Sequence, residues 1–154
     1  AGTGNGFALG YAAIYIGAAQ KALDFTLEYC KTHQLNPDPK PLSDDILVQR
    51  AIAEMSSYLH GARLVLYESA SRWQNSTAQA RMTLAARSKY LATEAALMIT
   101  SKCIQTLGGR SGHKSMPLER IFRDIRTATL MPPNSERAME IIGQNELGLT
   151  DSSK

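Results

Sequence analysis

The sequence predicts an all-α fold: an antiparallel helical bundle of three long helices followed by two shorter ones. Apolar residues recur at steps of three and four, the spacing of a single helix face, and no segment alternates with period two over a useful length. The breaks between these runs are marked by prolines, glycines and short polar turns. At 154 residues the chain fits one domain with a core of its own, needing neither disulfide nor metal.

The opening, Ala1-Gly2-Thr3-Gly4-Asn5-Gly6, has three glycines and no initiator Met, and reads as a linker remnant (residues 1–6) of a longer protein. Helix 1 is expected from Phe7 to Lys31, with Phe7, Tyr11, Ile14, Ala18, Ala22, Phe25 and Tyr29 as its inward stripe. Pro37, Pro39 and Pro41 end it. Ser43 is the expected N-cap of helix 2, whose stripe is Leu47, Ala51, Met55, Leu59, Ala62, Leu66, Ala70 and Trp73. Gln74-Asn75-Ser76 makes a polar turn. Helix 3 then carries Leu84, Leu91, Ala95, Met98 and Ile104, and stops at Gly108-Gly109. Pro117 suits the first turn of helix 4, expected to Thr129. Past Met131-Pro132-Pro133-Asn134, a fifth helix covers Ser135 to Ile142. These bounds put the bundle domain at 7–143 and a flexible tail at 144–154.

Charge and site chemistry narrow the function classes. Seventeen Lys and Arg against 14 Asp and Glu leave +3, scattered rather than concentrated in a stripe, which argues against nucleic acid. No apolar run approaches a membrane span, and a cytoplasmic location is expected. Cys30 and Cys103 sit inside helical patterns as two small buried thiols. No metal is expected either. A di-iron carboxylate bundle needs Glu-x-x-His pairs, yet Glu28, Glu54, Glu68, Glu94 and Glu119 are followed three residues on by Lys31, Ser57, Ser71, Leu97 and Phe122. His33, His60 and His113 read as ordinary surface or loop histidines.

One stretch stands out: Gln105-Thr106-Leu107-Gly108-Gly109-Arg110-Ser111-Gly112, then Pro117-Leu118-Glu119-Arg120 and Arg123-Asp124. Taken alone, it is a glycine C-cap followed by an ion-paired helix, with room at the glycines for a ligand to approach. The whole block closely resembles the Q-x-x-GG-x-G…P-x-E-R-x-x-RD pattern of the acyl-CoA dehydrogenase superfamily's C-terminal helical domain. Gly17-Ala18-Ala19-Gln20-Lys21-Ala22-Leu23 is similar to that family's first bundle helix. Ala53-Glu54-Met55, Ala62-Arg63-Leu64 and Tyr67 are similar to its second.

The resemblance implies a flavin oxidoreductase with an N-terminal helical domain and a middle β domain besides this bundle. It also implies a homo-oligomer, a dimer or tetramer built mainly through the bundle. The implied cofactor is FAD, with FMN the alternative, and neither is expected to stay on this chain alone. Gln105, Gly108 and Gly109 fall in the block that meets the adenosine end of FAD across the dimer. Asn134 and Glu136 fall where the family has polar residues near the flavin.

The departures matter as much. Counting from Arg123-Asp124, the family's catalytic Glu and its Gly land on Pro132 and Pro133, and proline cannot take an α-proton. The family's arginine for the FAD diphosphate is replaced by His33-Gln34-Leu35-Asn36. No catalytic residue is therefore assigned. The flavin monooxygenase and N-hydroxylase branch of the superfamily, which lacks that Glu, is the favoured reading. A dehydrogenase with its base elsewhere and a non-catalytic assembly module are the alternatives.

Overall fold

The computed structural model describes residues 4–34, 37 and 39–149. Among these it has five α-helices: α1 (Gly4–Thr32), α2 (Ile46–Arg72), α3 (Ala78–Leu107), α4 (Pro117–Ala128) and α5 (Ser135–Glu146). Short 3-10 turns span Leu42–Asp44 and Gly109–Gly112.

Side-chain contacts fix the directions. Ser88 Oγ donates to Ser69 Oγ at 2.7 Å, while Cys103 Sγ lies 3.5 Å from Met55 Sδ, so α2 and α3 are antiparallel. Lys89, early in α3, reaches Ala128 at the end of α4. Glu94 and Arg87 meet Ser135 and Glu146 at the two ends of α5. Both short helices thus run against α3, which packs on the other four and forms the centre of the bundle.

Alanine explains how α3 can be so central. Its buried row is Ala85, Lys89, Ala92, Ala96, Ile99, Cys103 and Leu107, and the small members let neighbouring backbones approach. Facing it are Ala12, Ala19, Ala22 and Leu23 of α1, Met55, Leu59 and Leu66 of α2, and Leu118 and Ile125 of α4.

This packing corrects several expectations. On α1 the most buried row is Ala8, Ala12, Tyr15, Ala19, Leu23, Thr26 and Cys30, one residue past the expected stripe, a rotation of about 100°; of that stripe Ala22 is fully buried and Tyr11, Ala18, Phe25 and Tyr29 pack partly buried against the core. Phe7 and Ile14 are 67% and 64% exposed, because alanines rather than the larger residues fill the tight seam with α3. On α2 the central Met55, Leu59, Ala62 and Leu66 are buried as expected, whereas Leu47 is 69% exposed and Val48 and Ser69 point inward. Leu91 of α3 lies at the surface rather than in the core. The N-cap of α2 is Asp45, not Ser43: its carboxylate accepts from Leu47 N at 2.7 Å, while Ser43 belongs to the preceding 3-10 turn.

Two boundaries also differ. Gly4, Asn5 and Gly6, expected as linker, form the first turn of α1; Ala1–Thr3 lie outside the described residues. Glycine costs helix about 1 kcal/mol each relative to alanine, yet no proline intervenes, and extending an existing helix avoids a new nucleus. α5 runs to Glu146 rather than Ile142, so the expected tail begins as helix. It stops at Gly148, whose φ of +66° lets Gly148 N reach Asn145 O (3.1 Å) and Leu149 N reach Gln144 O (2.9 Å), a Schellman closure. Residues 150–154 lie outside the described residues.

Candidate functional site

The glycine pair at the end of α3 forms as expected. Gly108 caps the helix with φ 74° and ψ −170°, a backbone region essentially reserved for glycine, and its N–H donates to Ile104 O at 2.9 Å. The fully buried Ser111 Oγ lies 2.7 Å from Gly108 O and 3.0 Å from Ile104 O, adding a side-chain donor to two carbonyls that already accept backbone N–H groups at the helix end. Gly109 is different. It has no left-handed φ, and a Cβ added there meets no atom within 4 Å. Among the described residues nothing requires glycine at that position.

Beside the pair lies a cleft of about 430 Å³ lined by Tyr29, His33, Leu42, Gly108, Gly109 and Arg110, among others. Gln34 and Leu42, on either side of the proline-rich segment, both line it. Leu42 N donates to His33 O at 2.9 Å, and Gln34 bridges to Pro41. Tyr29 and His33, one helical turn apart, stack with ring centroids 3.5 Å apart and planes 11° from parallel. Gln105 stands exposed one turn before the glycines and is not among the lining residues. The cleft therefore joins a stacked aromatic pair, a guanidinium and an unobstructed glycine backbone, which suits a planar ring carrying an anionic group.

Asn134 and Glu136 lie elsewhere. The 12 residues of α4, at about 1.5 Å each, separate the two ends of that helix by on the order of 18 Å. Asn134 is the N-cap of α5, its Oδ1 accepting from Arg137 N at 2.8 Å. Glu136 is exposed in the first helical turn, where a carboxylate favours the dipole. Between α4 and α5, residues 129–134 read Thr-Leu-Met-Pro-Pro-Asn and hold no ionisable side chain.

Sequence reasoning missed two residues at this loop, Lys89 and Glu94. Lys89 is fully buried, and its Nζ donates to Ala128 O at 2.8 Å. Burial holds its ammonium below the usual lysine range, while Glu94 acts in the opposite direction. Ser135 Oγ donates to Glu94 Oε1 at 2.8 Å. A signal for Lys89 was present: it sits on the same helical row as Ala92, Ala96 and Ile99, where a lysine needs a partner.

The Glu-Arg…Arg-Asp part of the motif forms two i,i+4 pairs. Arg123 grips Glu119 with Nε and Nη2 at 2.6 and 3.2 Å, and this hydrogen bonding holds the Glu119 carboxyl below its usual range. Arg120 lies 3.7 Å from Asp124. Both cysteines are buried, and burial pushes the Cys103 thiol up to about 11, which leaves it unreactive at neutral pH. Among the described residues no cluster of three His, Cys, Asp or Glu could hold a metal, and no described helix is long and apolar enough to cross a membrane.

The bundle thus presents a glycine-capped cleft near the start of α4 and the α4–α5 loop at the other end of that helix. Residues 9–131 match the family described as "Acyl-CoA dehydrogenase, C-terminal domain". The chain belongs to that family. The mitochondrial short/branched chain specific acyl-CoA dehydrogenase of Bos taurus is 32% identical over 136 residues, covering 88% of this chain and 31% of the relative. Glutaryl-coenzyme A dehydrogenase, solved in complex with glutaryl-CoA, superposes with a TM-score of 0.87 at 27% identity, over 97% of this chain and 37% of that one. The FAD complex of PigA superposes with a TM-score of 0.79 at 28% identity, over 91% and 35%. The chain spans about a third of the length of the relatives it matches.

Proposed function

We propose that this bundle serves a flavin-dependent oxidoreductase built like the acyl-CoA dehydrogenases, contributing to its FAD site and to its oligomerisation. The α4–α5 loop carries the choice of chemistry. It lies where the family resemblance puts the proton-abstracting glutamate, and residues 129–134 offer no carboxylate. Flavin monooxygenase-type chemistry, which needs no such base, is the reading favoured. The relatives' names support the alternative, a dehydrogenase whose base comes from another part of the enzyme.

The residues fit FAD better than FMN. The cleft at Gly108-Gly109 offers an aromatic stack and Arg110 to an adenosine diphosphate group, which FMN lacks. Gln105, Gly108 and Gly109 would hold that end for a partner subunit's cofactor, and Asn134 and Glu136 would stand near the flavin of this subunit. The flavin, when bound, supplies the redox chemistry; this chain orients it and walls it off. Assembly is supported by an apolar groove of about 690 Å³ between α2 and α3, lined by Tyr58, Gly61, Val65, Leu91 and Met98 among others, with Tyr67 and Leu64 exposed on the same helix α2.

The test is anaerobic flavin bleaching by acyl-CoA thioesters in the flavoenzyme that carries this domain. The expected result is no rapid bleaching, in the wild type or in Pro132→Glu, since a base misplaced by about 1 Å loses on the order of a hundredfold. Rapid wild-type bleaching that Glu136→Gln abolishes would make Glu136 the base and overturn the monooxygenase reading.

A further inference from the structure

The α4–α5 loop is tied locally at its ends, where Thr129 Oγ1 donates to Arg126 O at 3.0 Å and Asn134 Oδ1 accepts from Arg137 N at 2.8 Å, and more sparsely between them. Pro132 and Pro133 contribute no amide donors, and its internal bonds, from Leu130 N to Thr127 O, Met131 N to Ala128 O and Ser135 N to Thr129 O, are 3.0 to 3.3 Å long. Two side chains from α3, five residues apart, grasp its two ends. At the exit of α4, Lys89 Nζ donates at 2.8 Å to Ala128 O, the same carbonyl that accepts from Met131 N. At the entry to α5, Glu94 Oε1 accepts from Ser135 Oγ at 2.8 Å. Each anchor also suits the local field, with a cation at the negative end of α4 and a carboxylate at the positive end of α5.

The geometry points to Lys89 and Glu94 as positioning residues that set the path of residues 129–134 from both ends. This rests on the reading that the loop faces the flavin. A fully buried lysine is a costly way to close a helix end, and a methionine would fill the same space. What methionine cannot do is hold Ala128 O. Glu94 has a second exposure: it also lines the groove between α2 and α3, so the anchor at α5 borders the surface offered for assembly.

The test uses the 154-residue chain labelled with ¹³C-methyl methionine, comparing wild type with Lys89→Met, Glu94→Ala, Glu94→Gln and Ser135→Ala. Expected are a shifted Met131 methyl resonance in Lys89→Met, and amide exchange at Ser135 or Arg137 faster by about tenfold in Glu94→Ala and Ser135→Ala, with exchange at Ile99 unchanged. Glu94→Gln keeps the shape and an oxygen for Ser135 and is expected to retain wild-type exchange, while Ser135→Ala removes only the hydroxyl and so separates the hydrogen bond from packing. If loop exchange simply tracks Ile99 in every variant, or Glu94→Gln behaves as Glu94→Ala, the proposal fails. Should Lys89→Met not fold, the Glu94 and Ser135 variants still decide it. None of these readouts needs a flavin, so failure of the clamp and failure of the flavin reading are separate results.

Discussion

Arg63 donates from Nη2 to Gln20 Oε1 at 2.6 Å, joining α2 to α1 across 43 positions of sequence. Each residue belongs to one of the short blocks, Gly17–Leu23 and Ala62–Leu64, on which the family resemblance rests. The structure turns two separate matches into one contact. Because the pair is partly buried and charge-assisted, it is expected to contribute about 1–3 kcal/mol. A double-mutant cycle of Gln20→Ala and Arg63→Ala in urea should show coupling of that order. Additive effects would mean that the contact contributes only shape.

The two glycines at the end of α3 should separate stability from binding. Gly108→Ala forces an L-residue into φ 74° and ψ −170°, at a cost of about 1–3 kcal/mol. Gly109→Ala meets no atom within 4 Å and should leave stability within about 0.5 kcal/mol. Urea denaturation of both variants checks this, and an equal cost at both would mean that Gly109 is structural too.

Lys89 gives stability a pH dependence of known sign. Its pKa is lowered in the folded state by burial, so as pH rises the folded chain loses this proton before the unfolded chain does. Between the lowered value and the ordinary lysine value of about 10.4, the unfolded state binds more protons, and stability rises with pH. The difference in unfolding free energy between wild type and Lys89→Met, measured from pH 7 to 11, should shift in favour of wild type as pH rises. A flat difference would contradict the burial of a charged amine.

Much of this architecture was legible because helix ends carry local chemical signals. Gly108 closed α3 and Pro117 opened α4, each acting through its own backbone geometry, and α1 ends at Thr32, ahead of Pro37. The inward faces were harder to read. Phe7 and Ile14 outweigh Ala8 and Ala12 on any hydrophobicity scale, yet the tight α1–α3 seam selects the alanines. The cleft was half legible: the glycines were evident, but their meeting with the Tyr29–His33 stack depends on how the end of α3 lies against the end of α1. Glu94 gave no signal at all, since its partner Ser135 is 41 residues away.

Self-association should follow from the exposed apolar side chains of α2. Tyr58, in the α2–α3 groove, is 56% exposed, and Leu64 and Tyr67 elsewhere on the same helix are 53% and 62% exposed, more than a solitary bundle usually displays. Sedimentation at micromolar concentration should show a dimer or tetramer, with high helix content by circular dichroism and no bound flavin. Leu64→Glu is expected to shift the distribution towards monomer without loss of helix. A purely monomeric wild type would contradict it.

The central claim is that the cleft at Gly108-Gly109 takes the adenosine end of FAD, and NMR titration of the chain with two half-cofactors tests it most directly. ADP, added to millimolar concentration, should shift the amides of Gly108, Gly109 and Arg110 together with the ring signals of Tyr29 and His33, and Gly109→Ala should weaken those shifts. FMN should leave the same signals in place. Shifts with FMN but not ADP at these residues, or no response to ADP anywhere near the cleft, would contradict the account.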